Sequence, residues 1–224
     1  GVYTLAAARL VGPQGRVIAI EPLPAHVTTL RAHLALNTFS WVTVVATAVG
    51  SQDGHATIGL PRGGNSGMYT LTDSDDASDT FRVPLMRLDR ILEETGVDRV
   101  HLVKMDIEGA EDEALRGATD LLARHRPAFI IELNEAALQA RGSHTEQVRS
   151  IFHQADYVGW LIKPRGLEPI GTLGDRDCIE CLFLPEERAH LVRGWVRRRD
   201  TMRQAVVHQR EGHASAPAQT LDHS

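Results

Sequence analysis

The stretch that decides the fold is Val100-His-Leu-Val-Lys-Met-Asp-Ile-Glu-Gly-Ala-Glu111 (VHLVKMDIEGAE). Val100 to Met105 is a short apolar run, which reads as a buried strand. It passes directly into an acidic turn, Asp106 to Gly109, and then into a helical pattern over Ala110 to Arg124 whose first turn is acidic. Acids there suit the positive end of a helix dipole. A strand, a tight glycine turn and a helix make one half of a βαβ unit.

The same alternation extends in both directions. Upstream, Gly1 to Val11 is helix-like and stops at Gly-Pro-Gln-Gly, Arg16 to Glu21 (RVIAIE) is a strand, and Pro22 to Asn37 is a helix opening on prolines. Val42 to Ala46 is a further strand. Ser51 to Thr80 is an excursion rich in Gly, Ser and Asp, with β-like pieces at Ala56 to Leu60 and Met68 to Leu71. Phe81 to Met86 and Leu88 to Glu94 read as a strand and a short helix. Downstream, Ala128 to Leu133 (AFIIEL) is a strand, Thr145 to Gln154 a helix, and Tyr157 to Ile162 and Cys178 to Leu184 two strands. No helix is expected between these last two, so they should be antiparallel neighbours. Residues 186–211 read as an Arg-rich amphipathic helix and 212–224 as a frayed tail. The expected fold is α/β, a doubly wound, mostly parallel sheet.

Composition agrees with one large domain. The chain has 224 residues, 42% hydrophobic and 24% charged, with 24 basic against 29 acidic side chains for a net of −5. That mild acidity gives no reason to expect nucleic acid, and no apolar run approaches the roughly 18 residues of a membrane span. Lys104 and Lys163 are the only lysines, an Arg-heavy usage that points to a GC-rich bacterial source. Cys178 and Cys181 lie in a β-like run without a second ligand pair, so they read as ordinary strand cysteines and the setting as cytoplasmic. The eleven histidines form no constellation.

In an open parallel sheet, ligands bind beyond the carboxyl ends of the strands. Three of those ends carry acids: Glu21, Asp106 to Glu108, and Glu132 to Glu135. Glu21, closing the second expected strand, is placed to accept hydrogen bonds from the ribose hydroxyls of an adenosine cofactor. Asp106 should project into the crevice, where a carboxylate can take a hydroxyl proton or orient an acceptor, with Glu108 beside it. Glu108 and Glu111 also suit a helix first turn. A divalent metal between Asp106 and Glu132 or Asn134 is conceivable, but nothing in the pattern demands one, and no metal site is assigned.

VIAIEP (Val17 to Pro22), Asn37, AVG (Ala48 to Gly50), Leu88-Asp89, VKMDIEGAE (Val103 to Glu111), Ala114 to Ala118 and Arg126 to Glu132 together resemble the FkbM-type methyltransferases that use S-adenosylmethionine (SAM). The match runs in order over about residues 1–135, and KMDIEGAE is its specific part. The resemblance implies a Rossmann-like methyltransferase fold with SAM as cofactor. It also implies methyl transfer to a hydroxyl oxygen of a small-molecule, sugar or lipid-linked acceptor. It places Asp106 and Glu108 as catalytic residues. Gly1 and Tyr3 would line the methionine end of the cofactor, Glu21 and Pro22 the ribose, and Ala48 and Val49 the adenine; the excursion and the final strands would form the acceptor lid.

Members of that family begin with a strand and a loop of the form VDVGANxGxYT. Here Gly1-Val2-Tyr3-Thr4 matches only its end. The sequence therefore reads as N-terminally truncated, lacking a central strand between 16–21 and 100–105. On this reading residues 1–185 are the methyltransferase domain, crippled unless something fills the gap. Two other functions remain open: an NAD-type Rossmann oxidoreductase, which shares the ribose acid, and a non-catalytic remnant of a methyltransferase.

Overall fold

The computed structural model describes residues 1–59, 70–71, 80–170 and 179–196. Its elements in chain order are α1 (Val2–Val11), β1 (Val17–Ile20), α2 (Pro24–Leu36), β2 (Val42–Val45), β3 (Ala48–Val49), β4 (Gly54–Gly59), β5 (Thr70–Leu71) and β6 (Thr80–Met86). There follow α3 (Leu88–Thr95), β7 (Leu102–Met105), α4 (Glu111–Arg116), β8 (Ala128–Leu133), α5 (Glu135–Ala140), α6 (Thr145–Gln154), β9 (Tyr157–Lys163), β10 (Gly166–Pro169) and β11 (Ile179–Pro185). The fold is α/β, as the alternation predicts. Pro24 opens α2 at a position where its missing N–H costs nothing. Gly96 closes α3 in the left-handed conformation, φ 61°.

Among the described residues, strands pair in three sheets. β1 and β2 are parallel, with Val17 opposite Val42. The largest sheet runs β10-β9-β11-β8-β7, with β7 and β8 parallel and β11 antiparallel to both β8 and β9. The third is β3-β6-β4-β5, in which β3 and β6 are parallel. β9 and β11 are thus the antiparallel neighbours expected, and β10, which the sequence reading did not separate, hairpins onto β9. Among the described residues no strand joins β1 to β7, and Leu102 on β7 is 54% exposed. Side chains tie the two pieces instead. Arg16, just before β1, donates to the carbonyls of Thr95 and Gly96 at the end of α3, and the Lys104 ammonium lies 5.1 Å from the centre of the Tyr3 ring.

One face of the largest sheet carries the core. Phe129, Ile131 and Leu133 are fully buried against α4, α5 and α6, and Phe152 stacks on Phe183 with ring centres 4.0 Å apart. Period-two alternation turns Ile130, Glu132, Lys104 and Glu180 to the opposite face.

Two expectations need correction. The helix expected over Ala110 to Arg124 is broken into α4 and a π-helical turn at Leu121–His125. A Cβ on Gly117 would lie 2.2 Å from the Gly50 carbonyl oxygen, and the buried Asp89 carboxylate accepts the N–H groups of Asp120 and Leu121, starting a second segment. The Arg-rich helix expected over 186–211 is, where described, a 3-10 helix at Glu186–Val192 followed by a turn. Backbone bonding explains the turn: the Trp195 carbonyl accepts the Leu167 N–H, and Val196 bridges to Leu167 at the edge of β10. Cys178, most of the 51–80 excursion and residues 197–224 lie outside the described residues.

Candidate active site

The ends of β1 and β7 are built differently. At β1, the Glu21 N–H continues the ladder to the Val45 carbonyl, and its Oε1 accepts the Leu23 N–H at 3.0 Å. His26 Nδ1 stands 3.6 Å from the same oxygen. This local hooking fixes a half-exposed carboxylate at the strand tip. A carboxylate so placed is chemically suited to a vicinal diol.

On α1, the Ala8 carbonyl accepts the Trp41 indole N–H just before β2, and the Tyr3 ring faces the Lys104 ammonium of β7. Gly1 is the N-cap of α1, and a Cβ there would lie 2.9 Å from the Leu30 Cδ1. Pro22 is half-buried beside Glu21. Ala48 and Val49 stand apart from these. Both are buried, Ala48 among Leu23, Ile58 and Val83 and Val49 in the main core.

At β7 the chain leaves the sheet through Asp106 and turns sharply. Glu108 has φ 52° and Gly109 φ 97°. The left-handed region costs a non-glycine residue about 1–2 kcal/mol, strain of the kind that accompanies functional turns. Gly109 is required twice over, because a Cβ there would also lie 2.5 Å from the Ala137 carbonyl oxygen on α5.

The turn stands in a crowd of acids. Burial raises the Asp106 pKa, and the charges of Glu132 and Glu180 push it further, against the lowering influence of Lys104. Glu108 is raised by burial and then by Asp106 and Glu132. Asp106 is nonetheless exposed to solvent, so it combines a raised affinity for protons with access from outside. Those are the attributes of a general base or hydroxyl-orienting group.

The structure thus joins Asp106 and Glu108 with Glu132, a strand-end acid already singled out, here as a charge neighbour, and with two side chains that the sequence reading left without a role: Lys104 and Glu180. The signal for Glu180 was present, an acid in an apolar strand, in register with Glu132 across the antiparallel pair. The other strand-end acids have different work. The Asn134 side-chain Oδ1 caps α5 by accepting the Ala137 N–H. Glu135 accepts the Thr145 N–H and contacts His144. Among the described residues, no group of three or more His, Cys, Asp or Glu is arranged to hold a metal ion.

The profile described as the methyltransferase FkbM domain matches residues 1–158, which include both strand tips. The chain belongs to the FkbM methyltransferase family. One relative is Methyltransferase 1 of Beauveria bassiana, 28% identical over 138 residues, or 54% of this chain and 55% of that protein. Another is the AMB antimetabolite synthetase AmbE of Pseudomonas aeruginosa, 25% identical over 190 residues, covering 70% of this chain and 8% of that protein. The chain therefore spans about half the length of one and a small part of the other. A crystal structure of an FkbM methyltransferase from Methylobacillus flagellatus aligns over 80% of this chain and 40% of that one, with 22% identity and a TM-score of 0.49. Within this FkbM domain, DIEGAE occupies the tip of β7 and the first turn of α4.

Proposed function

We propose that this chain carries the domain, residues 1–185, that moves a methyl group from SAM to a hydroxyl oxygen of a small-molecule, sugar or lipid-linked acceptor, in a bacterial cytoplasm. The observation that carries the reading is the solvent-open Asp106 at the tip of β7, raised in pKa and flanked by Glu108, in a chain of the FkbM methyltransferase family. Arg-heavy composition supports the bacterial source. Among the described residues no helix is long and apolar enough to cross a membrane.

The donor set at β1 suits the cofactor. Glu21 would hold the ribose hydroxyls through its carboxylate, with Pro22 beside it. Gly1 and Tyr3 would border the methionine end, and the backbone at Ala48 and Val49 the adenine. When bound, SAM supplies an electrophilic sulfonium methyl. Asp106 orients the acceptor hydroxyl and receives its proton, and Glu108 supports that charge balance. Positioning of two reactants is the larger part of such catalysis.

Calorimetric titration with SAM and S-adenosylhomocysteine tests the reading, with NAD as the control. Saturable binding that Glu21→Ala weakens at least tenfold supports it. Binding of NAD alone would turn the assignment toward an oxidoreductase, and binding of neither would favour a non-catalytic remnant.

A further inference from the structure

We infer that Glu111 is a positioning residue: its buried carboxyl clamps the Ile107–Gly109 turn in the conformation that presents Asp106 and Glu108. What Asp106 and Glu108 do rests on the methyl-transfer reading. What Glu111 does rests on geometry alone.

As the first residue of α4, Glu111 would ordinarily be one of three first-turn acids facing solvent and the helix dipole. Instead it is 1% exposed. Its Oε1 reaches backward out of the helix and accepts two backbone N–H groups, from Ile107 at 3.2 Å and Gly109 at 3.3 Å. The residue at the helix cap, Ala110, has no side chain able to do this. Without Glu111 the buried Gly109 N–H would lose this partner, an expensive state away from water.

The turn needs such a clamp. Glu108 and Gly109 are consecutive left-handed residues, and the Ala137 carbonyl closes the space behind Gly109. A strained turn persists only where its surroundings over-determine it. Glu111 supplies that constraint from below and α5 from the side. Its second oxygen, Oε2, is buried with no hydrogen-bond partner. Burial, with the charge of Asp106 adding to it, pushes the group toward its protonated form against the two N–H bonds. The part Glu111 plays is that of a carbonyl-type acceptor, which glutamine can also play and alanine or the shorter aspartate cannot.

The test uses the full chain, isotopically labelled, as wild type, E111A, E111D and E111Q. Amide hydrogen exchange is read at Ile107 and Gly109, and carboxyl-carbon titrations at Asp106 and Glu108. In E111A and E111D, exchange at the two turn amides should rise at least tenfold while β8 and α6 amides stay within twofold. The Asp106 and Glu108 titrations should move toward ordinary carboxylate values, and E111Q should restore both readouts to within about threefold of wild type. If E111A fails to fold, E111D and E111Q carry the comparison. Unchanged exchange in E111D, a glutamine variant that behaves like alanine, or lost protection with unmoved Asp106 and Glu108 titrations would each overturn the inference. Failure of the wild type to bind S-adenosylhomocysteine would sink the methyl-transfer reading and leave these measurements standing.

Discussion

The ammonium of Lys104 lies 3.2 Å from the carboxylate of Glu180, reaching across the width of β8. Glu180 is itself directly opposite Glu132 in the β11–β8 pair, an arrangement of like charges that is unfavourable unless a cation intervenes. Lys104 pairs with Glu180 and also lowers the Asp106 pKa. Lys104→Met should therefore raise the pH at which Asp106 titrates. Because Glu180 is partly exposed, the loss at pH 7 should be modest for an internal pair, about 1–3 kcal/mol. Carboxyl titration by NMR checks the first and urea denaturation at pH 7 the second; an Asp106 titration left unmoved by Lys104→Met would contradict the arrangement.

Asp106→Asn separates chemistry from stability. Asp106 has a folded-state pKa raised above 3.8 by burial and by Glu132. A group of that kind stabilises the fold fully only below its unfolded pKa, and the contribution is lost as pH rises through the folded value. At pH 7 the ionised carboxylate works against the fold, and asparagine removes that charge while keeping the shape. Tm should rise by roughly 1–3 °C at pH 7, with no gain near pH 3. Methyl transfer should fall by about 10²–10⁴ while cofactor affinity holds. Retained turnover would remove Asp106 from the reaction.

The strand and helix alternation was legible because buried parallel strands are continuous apolar runs and the connecting helices carry their own stops. DIEGAE was legible for the same reason, since acids following an apolar strand have few uses apart from a site or a helix start. What the sequence concealed depended on distant partners. Gly117 ends α4 because Gly50, 67 positions earlier, occupies the space a side chain would need. Asp89 reads as a first-turn acid of α3, yet its carboxylate reaches two N–H groups more than thirty residues away. Glu111 reads as a surface acid of α4 and is buried, because its carboxyl turns back along the chain. The burial of Ala48 follows from packing against β4 and β6 and that of Val49 from the main core, which no local pattern encodes.

Glu135 should act in the opposite sense to Asp106. Burial raises its pKa, but hydrogen bonds from the Thr145 N–H and hydroxyl, Gln139 and His144 outweigh that and hold it at about 2. A depressed pKa gives stability that is present above the unfolded value, near 4.5, and is lost as pH falls toward 2. Glu135→Gln should cost on the order of 1–2 kcal/mol at pH 7, and the gap to wild type should close between about pH 4.5 and pH 2. Chemical denaturation across that window measures the closure. A gap that stayed constant would mean the carboxylate's charge is not what links α5 to α6.

Gly109 and Gly142 offer a matched pair for the rigidity of the turn. Both are left-handed, at φ 97° and 73°. An added Cβ at Gly142 meets nothing within 4 Å, whereas at Gly109 it would meet the Ala137 carbonyl oxygen at 2.5 Å and carbon at 2.6 Å. Gly142→Ala should therefore cost only the backbone penalty, about 1 kcal/mol. Gly109→Ala adds an overlap with backbone that no side-chain rotation relieves, for a total of about 3–4 kcal/mol. The excess measures how firmly α5 backs the turn that carries Asp106 and Glu108. If thermal melts showed equal costs at the two positions, the turn would have room to move away from α5, and its strained Glu108 would not be held as the geometry requires.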